Sequence, residues 1–241
     1  MTGANRSIGK AIALLFTKEG AELVISYRSD KKGAEEIIDC IQKKNGNVRA
    51  LCADFSTHEG VEQFYRECLS VLGHVDVLVN NAGGYNTLGF FELTNRDFEQ
   101  LLQVTLMTPF FLSQLVAKGM VQKQIKGNII NISSISGTRP TMNRVAHASG
   151  KAALNMLTQT MALELAQYGI RVNAIAPGYT PYENSEFDSA IKDIPLGRAG
   201  LPTDQASTAL FLATEESSWM TGQVLTVDGG HSIALSITKG N

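Results

Sequence analysis

The sequence predicts an α/β fold: a doubly wound parallel sheet of Rossmann type, built as a single domain over residues 1–241. Three observations carry this. Short, fully apolar runs of strand type alternate with helix-length amphipathic segments, which gives βαβ units and a sheet covered on both faces. A turn bracketed by Gly3 and Gly9 leads directly into a helical pattern. The stretch from Asn131 to Lys151 reads as the end of a strand and then the start of a long helix. A hydroxyl, an imidazole and an ammonium then meet where strand ends face helix beginnings, which is where open parallel sheets place their ligands.

In chain order, Ala11, Ile12, Leu14, Leu15 and Phe16 mark a first helix that stops near Gly20. Glu22–Tyr27 is a strand run, followed by amphipathic helix from Gly33 to Lys44 and strand over Val48–Ala53. Helix covers Thr57–Leu72, strand Val75–Asn80, and one long helix Asn95–Gln122. Strand resumes at Gly127–Ser133, helix at Ala146–Tyr168 and strand at Arg171–Ile175; a helix near Thr203–Thr214 and a strand at Gln223–Val227 close the chain. Right-handed crossovers connect these units. A strand is expected ahead of the glycine turn, yet only Met1 precedes Thr2, so the first strand is missing or truncated. Three explanations stay open: the chain begins downstream of its true start, which is preferred; the gene is truncated; or another strand fills the central slot.

Composition is that of a globular protein, 44% hydrophobic and 18% charged, with no Pro/Gly/Ser-rich or charge-rich linker. A formal charge of -2 makes no electrostatic case for nucleic acid or an anionic membrane. No run of about 18 apolar residues is present, so no transmembrane helix is expected, and the start lacks the basic-then-apolar pattern of a secretory signal. Cys40, Cys52 and Cys68 lack metal spacing and read as reduced thiols of a cytoplasmic protein. His58, His74 and His231 share no spacing and read as surface or loop residues, so no metal site is expected.

The turn Gly3–Gly9 offers backbone N–H groups and a positive dipole end to a pyrophosphate. Its middle position, where a glycine would let the backbone approach phosphate most closely, is Ser7. The residue about 20 positions further on meets the adenosine ribose, and an acid there favours NAD(H). Here the strand ends Tyr27-Arg28, and Arg6 lies in the turn. Two guanidinium groups suit a 2′-phosphate, which favours NADP(H) over NAD(H). Asp30 and Lys31 blur that signal, and solvated surface arginines are the plain alternative.

Taken together, Thr2-Gly-Ala-Asn-Arg-Ser-Ile-Gly9, Ala53-Asp54, Asn80-Asn-Ala-Gly83, Asn131-Ile-Ser-Ser134, Lys151, Val172–Gly178, Pro195–Gly200 and Thr221–Gly230 resemble the short-chain dehydrogenase/reductase family, most nearly its 3-oxoacyl-(acyl carrier protein) reductases. The likeness covers nearly the whole chain and is specific for the family, not for a substrate. It implies that Gly3, Asn5, Arg6, Ser7, Ile8 and Gly9 hold the pyrophosphate end of the cofactor, with Tyr27, Arg28, Asp54 and Phe55 around the adenosine. Asn81, Ala82 and Gly83 would line the cofactor, Ile132 would sit under the nicotinamide, and Pro177 and Gly178 would shape the carboxamide pocket.

The resemblance also implies the reaction: a hydride moves between nicotinamide and a carbonyl or alcohol carbon while the oxygen gains or loses a proton. In the family a tyrosine supplies the proton and a lysine lowers its pKa and binds the ribose. A serine holds the substrate oxygen, and an asparagine of the preceding long helix keeps a relay water. Ser134 and Lys151 match, but the tyrosine slot holds His147 and the asparagine slot Thr105. Lys151, one helical turn from His147, is expected to keep the imidazole neutral. Imidazole also falls short of a phenol oxygen by roughly 2 Å, where about 1 Å of misplacement costs on the order of a hundredfold. A bridging water is one remedy; a tyrosine from elsewhere, Tyr85, Tyr179 or Tyr182, is another. An enoyl reductase is disfavoured, since its tyrosine would fall at Arg144.

The segment Tyr179–Ile194, where the family has a substrate lid, is short, which suits either an open pocket or a large carrier-bound substrate. Apolar helices around Phe98–Phe111 and Ala152–Leu165 imply a homotetramer or homodimer by likeness to relatives. Two functions stay open. One is an NADP(H)-dependent carbonyl reductase with an altered proton donor. The other is an impaired or inactive NADP(H)-binding homologue serving as a regulatory or structural partner.

Overall fold

The computed structural model describes residues 1–84, 86–181 and 191–234. Strands β1 (Leu23–Tyr27) and β2 (Val48–Cys52) form one parallel pair. Strands β3 (Val77–Asn80), β4 (Asn128–Ile132), β5 (Arg171–Pro177) and β6 (Val224–Val227) form a four-stranded parallel sheet in chain order. Residues 1–4 join the two at their upper ends. The Met1 ammonium donates to the Val24 carbonyl at 2.6 Å and the Ser26 N–H to the Met1 carbonyl at 3.1 Å, while the Thr2 N–H reaches the Val79 carbonyl at 3.0 Å. The lateral order is therefore β2, β1, residues 1–4, β3, β4, β5, β6. From residues 1–4 the chain winds outward through β1 and β2, then returns to β3 on the other side. The reversal lies between the glycine turn and the end of β3, the crevice where such sheets bind ligands.

The helices are α1 (Ser7–Lys18), α2 (Lys31–Gln42), α3 (His58–Leu72), α4 (Asn95–Leu102), α5 (Thr108–Gln122), α6 (Val145–Leu165) and α7 (Pro202–Ala213). They cover both faces. Ile25, Val79, Ile130 and Ile175 pack with Ile12, Phe16, Ile37, Ile41 and Leu212 of α1, α2 and α7. Their strand neighbours Val24, Leu78, Ile129 and Val172 pack with Phe64, Leu112, Val116 and Ala162 of α3, α5 and α6. Successive strand residues thus face opposite layers and both must be apolar, which is why the runs do not alternate with polar residues.

Element boundaries differ from the sequence expectation where a cap decides them. Helix α2 starts at Lys31 rather than Gly33 because the Asp30 carboxylate accepts from the Gly33 N–H at 2.9 Å and caps it. Strand β5 runs on to Pro177. The long helix of residues 95–122 is not uniform: Gln103–Met107 form a π-helical turn. Pro109 is the cause. It has no N–H for the Thr105 carbonyl four residues back, and its ring crowds that carbonyl. The Thr108 hydroxyl donates to the Gln103 carbonyl at 2.9 Å in compensation. By length and apolar composition alone this 28-residue stretch would match a bilayer span. In this fold it is a core helix, with Leu112, Val116, Ala117 and Met120 buried.

Asn80 of β3 and Asn131 of β4 are buried among apolar strand residues and need each other. The Asn80 amide donates to Asn131 Oδ1 at 2.9 Å and to Ser113 Oγ at 3.0 Å, and the Asn131 amide donates to Thr158 Oγ1 at 2.9 Å. This chain ties β3 and β4 to α5 and α6 inside the core. Replacing Asn131 by alanine leaves buried partners unmatched, so unfolding in urea is expected to show a loss of about 1–3 kcal/mol. A wild-type midpoint and slope would contradict that role.

Candidate active site

The glycine turn lies flat on the end of β3. Gly3 has φ +64°, and a Cβ on it would sit 2.9 Å from the Ala82 Cα. A Cβ on Gly9 would strike the Gly3 carbonyl and the Asn81 amide. Only glycine permits this approach. Thr2 Oγ1 accepts from the N–H groups of Asn81 (3.0 Å) and Ala82 (2.9 Å). Both hydrogens of the Asn81 side-chain amide go to the turn, one to the Thr2 carbonyl and one to the Gly3 carbonyl. Asn81 therefore holds the cradle in place rather than presenting its amide to a ligand. Helix α1 starts at Ser7, itself in the left-handed region at φ +46°, with no side-chain cap and no acid in its first turn. Its leading N–H groups carry the positive end of the helix dipole and are of a kind that can hold an anion.

At the outer end of the crevice, Arg6 and Arg28 are exposed and Tyr27 half-buried. Asp30 caps α2 and also accepts from the Asn5 side chain at 2.9 Å. Its carboxyl lies below the usual range, first through the Gly33 N–H, then Asn5, with Arg6 and Lys32 adding charge. Asp54 accepts from the Ser56 N–H, and that bond together with the Arg28 charge lowers its pKa. The Phe55 ring lies in the core, edge-on to Phe64, and its carbonyl accepts from Thr108.

At the inner end Lys151 is buried, and its Nζ donates to the Ile132 carbonyl at 2.6 Å. Burial pushes its pKa down to about 8. A Cβ on Gly83 would lie 3.7 Å from that Nζ, so the ammonium rests over the Asn-Ala-Gly turn. The 3₁₀ turn Ile135–Gly137 packs on the same turn of α6: a Cβ on Gly137 would come within 2.9 Å of the Lys151 backbone. Ser134, at the head of that turn, accepts from the Ser136 N–H at 3.1 Å, which leaves its own hydrogen to donate. Neighbouring Ser133 is buried and structural, its hydroxyl donating to Asn155 Oδ1 at 2.5 Å. Ile132 has its side chain in the core, and Pro177 is buried above it in the sheet order, with the Gly178 N–H bonded to the Val227 carbonyl at 3.0 Å. A Cβ on Gly178 would collide with Asp228.

His147 Nδ1 lies 3.0 Å from the Gly84 carbonyl. A carbonyl only accepts, so Nδ1 carries the hydrogen. The ring pKa is lowered to about 4, chiefly by burial and then by the Lys151 charge, with the Gly84 bond opposing. The sequence assigned this shift to Lys151; burial is the larger cause. A neutral ring protonated at Nδ1 presents a lone pair at Nε2, the character of a base. Thr105 is fully buried in the π-helical turn, and its methyl packs toward Gly150. Its hydroxyl has no hydrogen-bond partner among the described residues. Tyr179 has a buried hydroxyl likewise without a partner among them, while Tyr85 and Tyr182 lie outside the described residues.

The His147 shift has a testable consequence for stability. The folded state refuses a proton that the unfolded state accepts below about 6.5, so stability falls as pH drops from 6.5 toward 4. Thermal unfolding at pH 5 is expected at a lower temperature than at pH 7, and His147→Gln should flatten that difference. An unchanged pH slope in the variant would contradict it.

A family model described as Enoyl-(Acyl carrier protein) reductase matches residues 3–232. The chain belongs to the short-chain dehydrogenase/reductase family. It is 35% identical over 242 residues to glucose 1-dehydrogenase 2 of Bacillus subtilis, covering 97% of this chain and 93% of that protein. It is 35% identical over 236 residues to 3-oxoacyl-(acyl-carrier-protein) reductase FabG of Thermotoga maritima, covering 95% of each. Among solved structures, acetoin dehydrogenase YohF from Salmonella typhimurium superposes with a TM-score of 0.92 at 33% identity, over 100% of this chain and 97% of that one. A sugar, an acyl thioester and acetoin name three substrate classes for these relatives, so membership fixes the chemistry more narrowly than the substrate. For this dehydrogenase/reductase the residues that sequence reading missed are structural supports of the site. Thr2, Ser26 and Asn155 each hold a turn by hydrogen bonds, Ser26 Oγ accepting from the Gly3 N–H at 3.0 Å. The available signal was Thr2 itself, a hydroxyl directly ahead of the first glycine.

Proposed function

We propose that this short-chain dehydrogenase/reductase is an NADP(H)-dependent oxidoreductase that reduces a carbonyl, in a 3-oxoacyl thioester or a ketone, to an alcohol, with His147 where the family has tyrosine. The observation that carries the reading is Lys151: a buried ammonium resting over the Asn-Ala-Gly turn and anchored to the Ile132 carbonyl two residues from Ser134. The cradle suits a dinucleotide, since Gly3 and Gly9 let the turn pack flat on the end of β3 and the α1 N-terminus has no side-chain cap. The turn residues and α1 N–H groups would hold the pyrophosphate, Arg6 and Arg28 a 2′-phosphate, and Lys151 the nicotinamide ribose. When bound, NADP(H) supplies the hydride. Ser134 donates its hydroxyl hydrogen to the substrate oxygen. His147, with its hydrogen on Nδ1, takes a proton from an alcohol more readily than it gives one to a carbonyl oxygen. In the reducing direction the proton comes through water or from a tyrosine, and Tyr179 offers a buried hydroxyl that has no partner among the described residues.

The neutral state of His147 also favours the second reading, an impaired or inactive NADP(H) binder acting beside an active homologue. NADPH binding followed by fluorescence, then turnover with 3-oxoacyl thioesters and simple ketones, separates them. Turnover by the wild type supports the reductase; binding without turnover supports the silent partner; no binding of NADPH or NADH removes both. We place the enzyme in the cytoplasm, consistent with three unbridged cysteines. We also assign it a homodimeric or homotetrameric state. Supporting that, a groove of about 420 Å³ between α5 and α6 is lined by Phe110, Val121, Met161, Leu165 and Tyr168. Light scattering on the purified protein tests it.

A further inference from the structure

His147 is poorly made for giving a proton and well made for taking one. Its Nδ1 hydrogen is held by the Gly84 carbonyl at 3.0 Å, which orients the ring and leaves the lone pair on Nε2. The histidine that serves a serine nucleophile is held in the same way, by a carboxylate where this chain uses a main-chain carbonyl. Burial and the charges of Lys151 and Arg144 keep the ring neutral. A hydroxyl that such a ring can serve borders the same crevice. Ser134 is extended, at the point where β4 gives way to the turn Ile135–Gly137. Its Oγ accepts from the Ser136 N–H at 3.1 Å, so its position is set while its hydrogen remains to be given. Both side chains are half-buried rather than enclosed. Lys151 links them. The turn that Ser134 heads packs on its backbone, where a Cβ on Gly137 would come within 2.9 Å. Its Nζ lies 3.7 Å from a Cβ placed on Gly83, next to the Gly84 that holds His147. His147 itself stands one helical turn before it on α6. A hydroxyl, a neutral imidazole and an ammonium therefore border one space.

We propose that Ser134 and His147 act as nucleophile and base in the hydrolysis of small acyl esters and thioesters, with Lys151 beside the oxygen that gains charge. Ser134 Oγ attacks the acyl carbon while its hydrogen passes to His147 Nε2. The carbon–sulfur or carbon–oxygen bond to the leaving group then breaks, and the departing thiolate or alkoxide takes that proton. The acyl group is now an ester of Ser134. Water attacks it and gives a proton to Nε2; the bond to Oγ breaks, Oγ takes the proton, and the acid leaves. Nothing is oxidised or reduced, and no cofactor enters. The pair depends on the histidine: a tyrosine at 147 would present a phenol, with a pKa near 10 and little power to accept a proton. A neutral carbonyl behind the ring raises its basicity less than a carboxylate does, so the activity is expected to be modest. The inference shares residues with the proposed reductase but none of its hydride chemistry, so each can fail without the other.

The test uses the whole protein without nucleotide, with p-nitrophenyl acetate and the acetyl thioester of N-acetylcysteamine as substrates and a fluorophosphonate as covalent probe. The wild type is expected to hydrolyse both substrates at least about a hundredfold faster than Ser134→Ala, the lower end of what a placed base contributes. The fluorophosphonate should label Ser134, read by mass spectrometry of the digested protein. His147→Gln should lose about as much as Ser134→Ala, since the two act as a unit. His147→Tyr should lose hydrolysis as well, although tyrosine is the residue that suits reduction. His58→Gln, at an exposed histidine of α3, should hydrolyse like the wild type. Circular dichroism confirms that each variant is folded. A wild-type rate no higher than that of Ser134→Ala would overturn the proposal, as would labelling elsewhere than Ser134. Hydrolysis retained in both His147 variants would overturn it too, because it removes the base. Ser134-dependent hydrolysis without any NADPH-dependent reduction would support the pair and count against the reductase alone.

Discussion

His147→Tyr is expected to raise kcat/KM for NADPH-dependent ketone reduction at pH 7 by about a hundredfold or more, within the range that a placed general acid contributes. In the wild type the one hydrogen on the ring points at the Gly84 carbonyl, and a pKa near 4 leaves almost no imidazolium at neutral pH. Nothing on that side chain can be given to an alkoxide. A tyrosine at the same helical position extends roughly 2 Å further, and the lysine one turn away lowers its pKa instead of suppressing its charge. NADPH affinity should change little, because the cradle residues are untouched. The same chemistry predicts an asymmetry in the wild type: alcohol oxidation with NADP⁺ should exceed carbonyl reduction relative to the tyrosine variant, since a neutral ring serves as a base. Steady-state rates in both directions, with NADPH titrated by fluorescence, check this. A variant that binds NADPH and gains no activity would show that proton supply is not what limits this protein.

The parts of this site legible in the sequence are those fixed by local backbone need. Gly3 and Gly9 announced a turn into a helix start, and the structure has the Ala82 backbone and the Gly3 carbonyl where their side chains would be. The spacing from Ser134 to Lys151 announced a strand end facing a helix start, and the turn at Gly137 packs on Lys151. Parallel strands were readable because both faces are buried. What was not legible depends on tertiary neighbours. Asn81 looks like a ligand-lining amide until its two hydrogens are followed to the Thr2 and Gly3 carbonyls. The π-helical turn at Thr105 had a sequence cause, Pro109, but periodicity over a 28-residue helix hides a one-residue insertion. The low pKa of His147 was anticipated in direction from Lys151, whereas its main cause, burial, is not a property of sequence spacing.

Lys151→Met should abolish turnover in either direction and weaken NADPH binding while making the empty protein less sensitive to alkaline pH. The ammonium is buried, carries one hydrogen bond to Ile132, and has its pKa lowered to about 8 from 10.5. The folded state thus sheds a proton that the unfolded state keeps between about pH 8 and 10.5. Deprotonation relieves the burial penalty, so this group makes the wild type more stable as pH rises through that window. Methionine fills the same volume without a charge, and the gain should vanish in the variant. A second readout ties the lysine to His147. With the like charge gone, the imidazole pKa should rise from about 4 but stay below the ordinary 6.5, because burial, the larger cause, remains. An NMR titration of the ring reads this directly. If the His147 pKa does not move while stability loses its alkaline rise, the two side chains are not electrically coupled, and the shared site at the end of β4 would have to be rebuilt around Lys151 alone. Such a protein, inactive and without the alkaline rise in stability, would be what a charge held for function rather than stability leaves behind when it is removed.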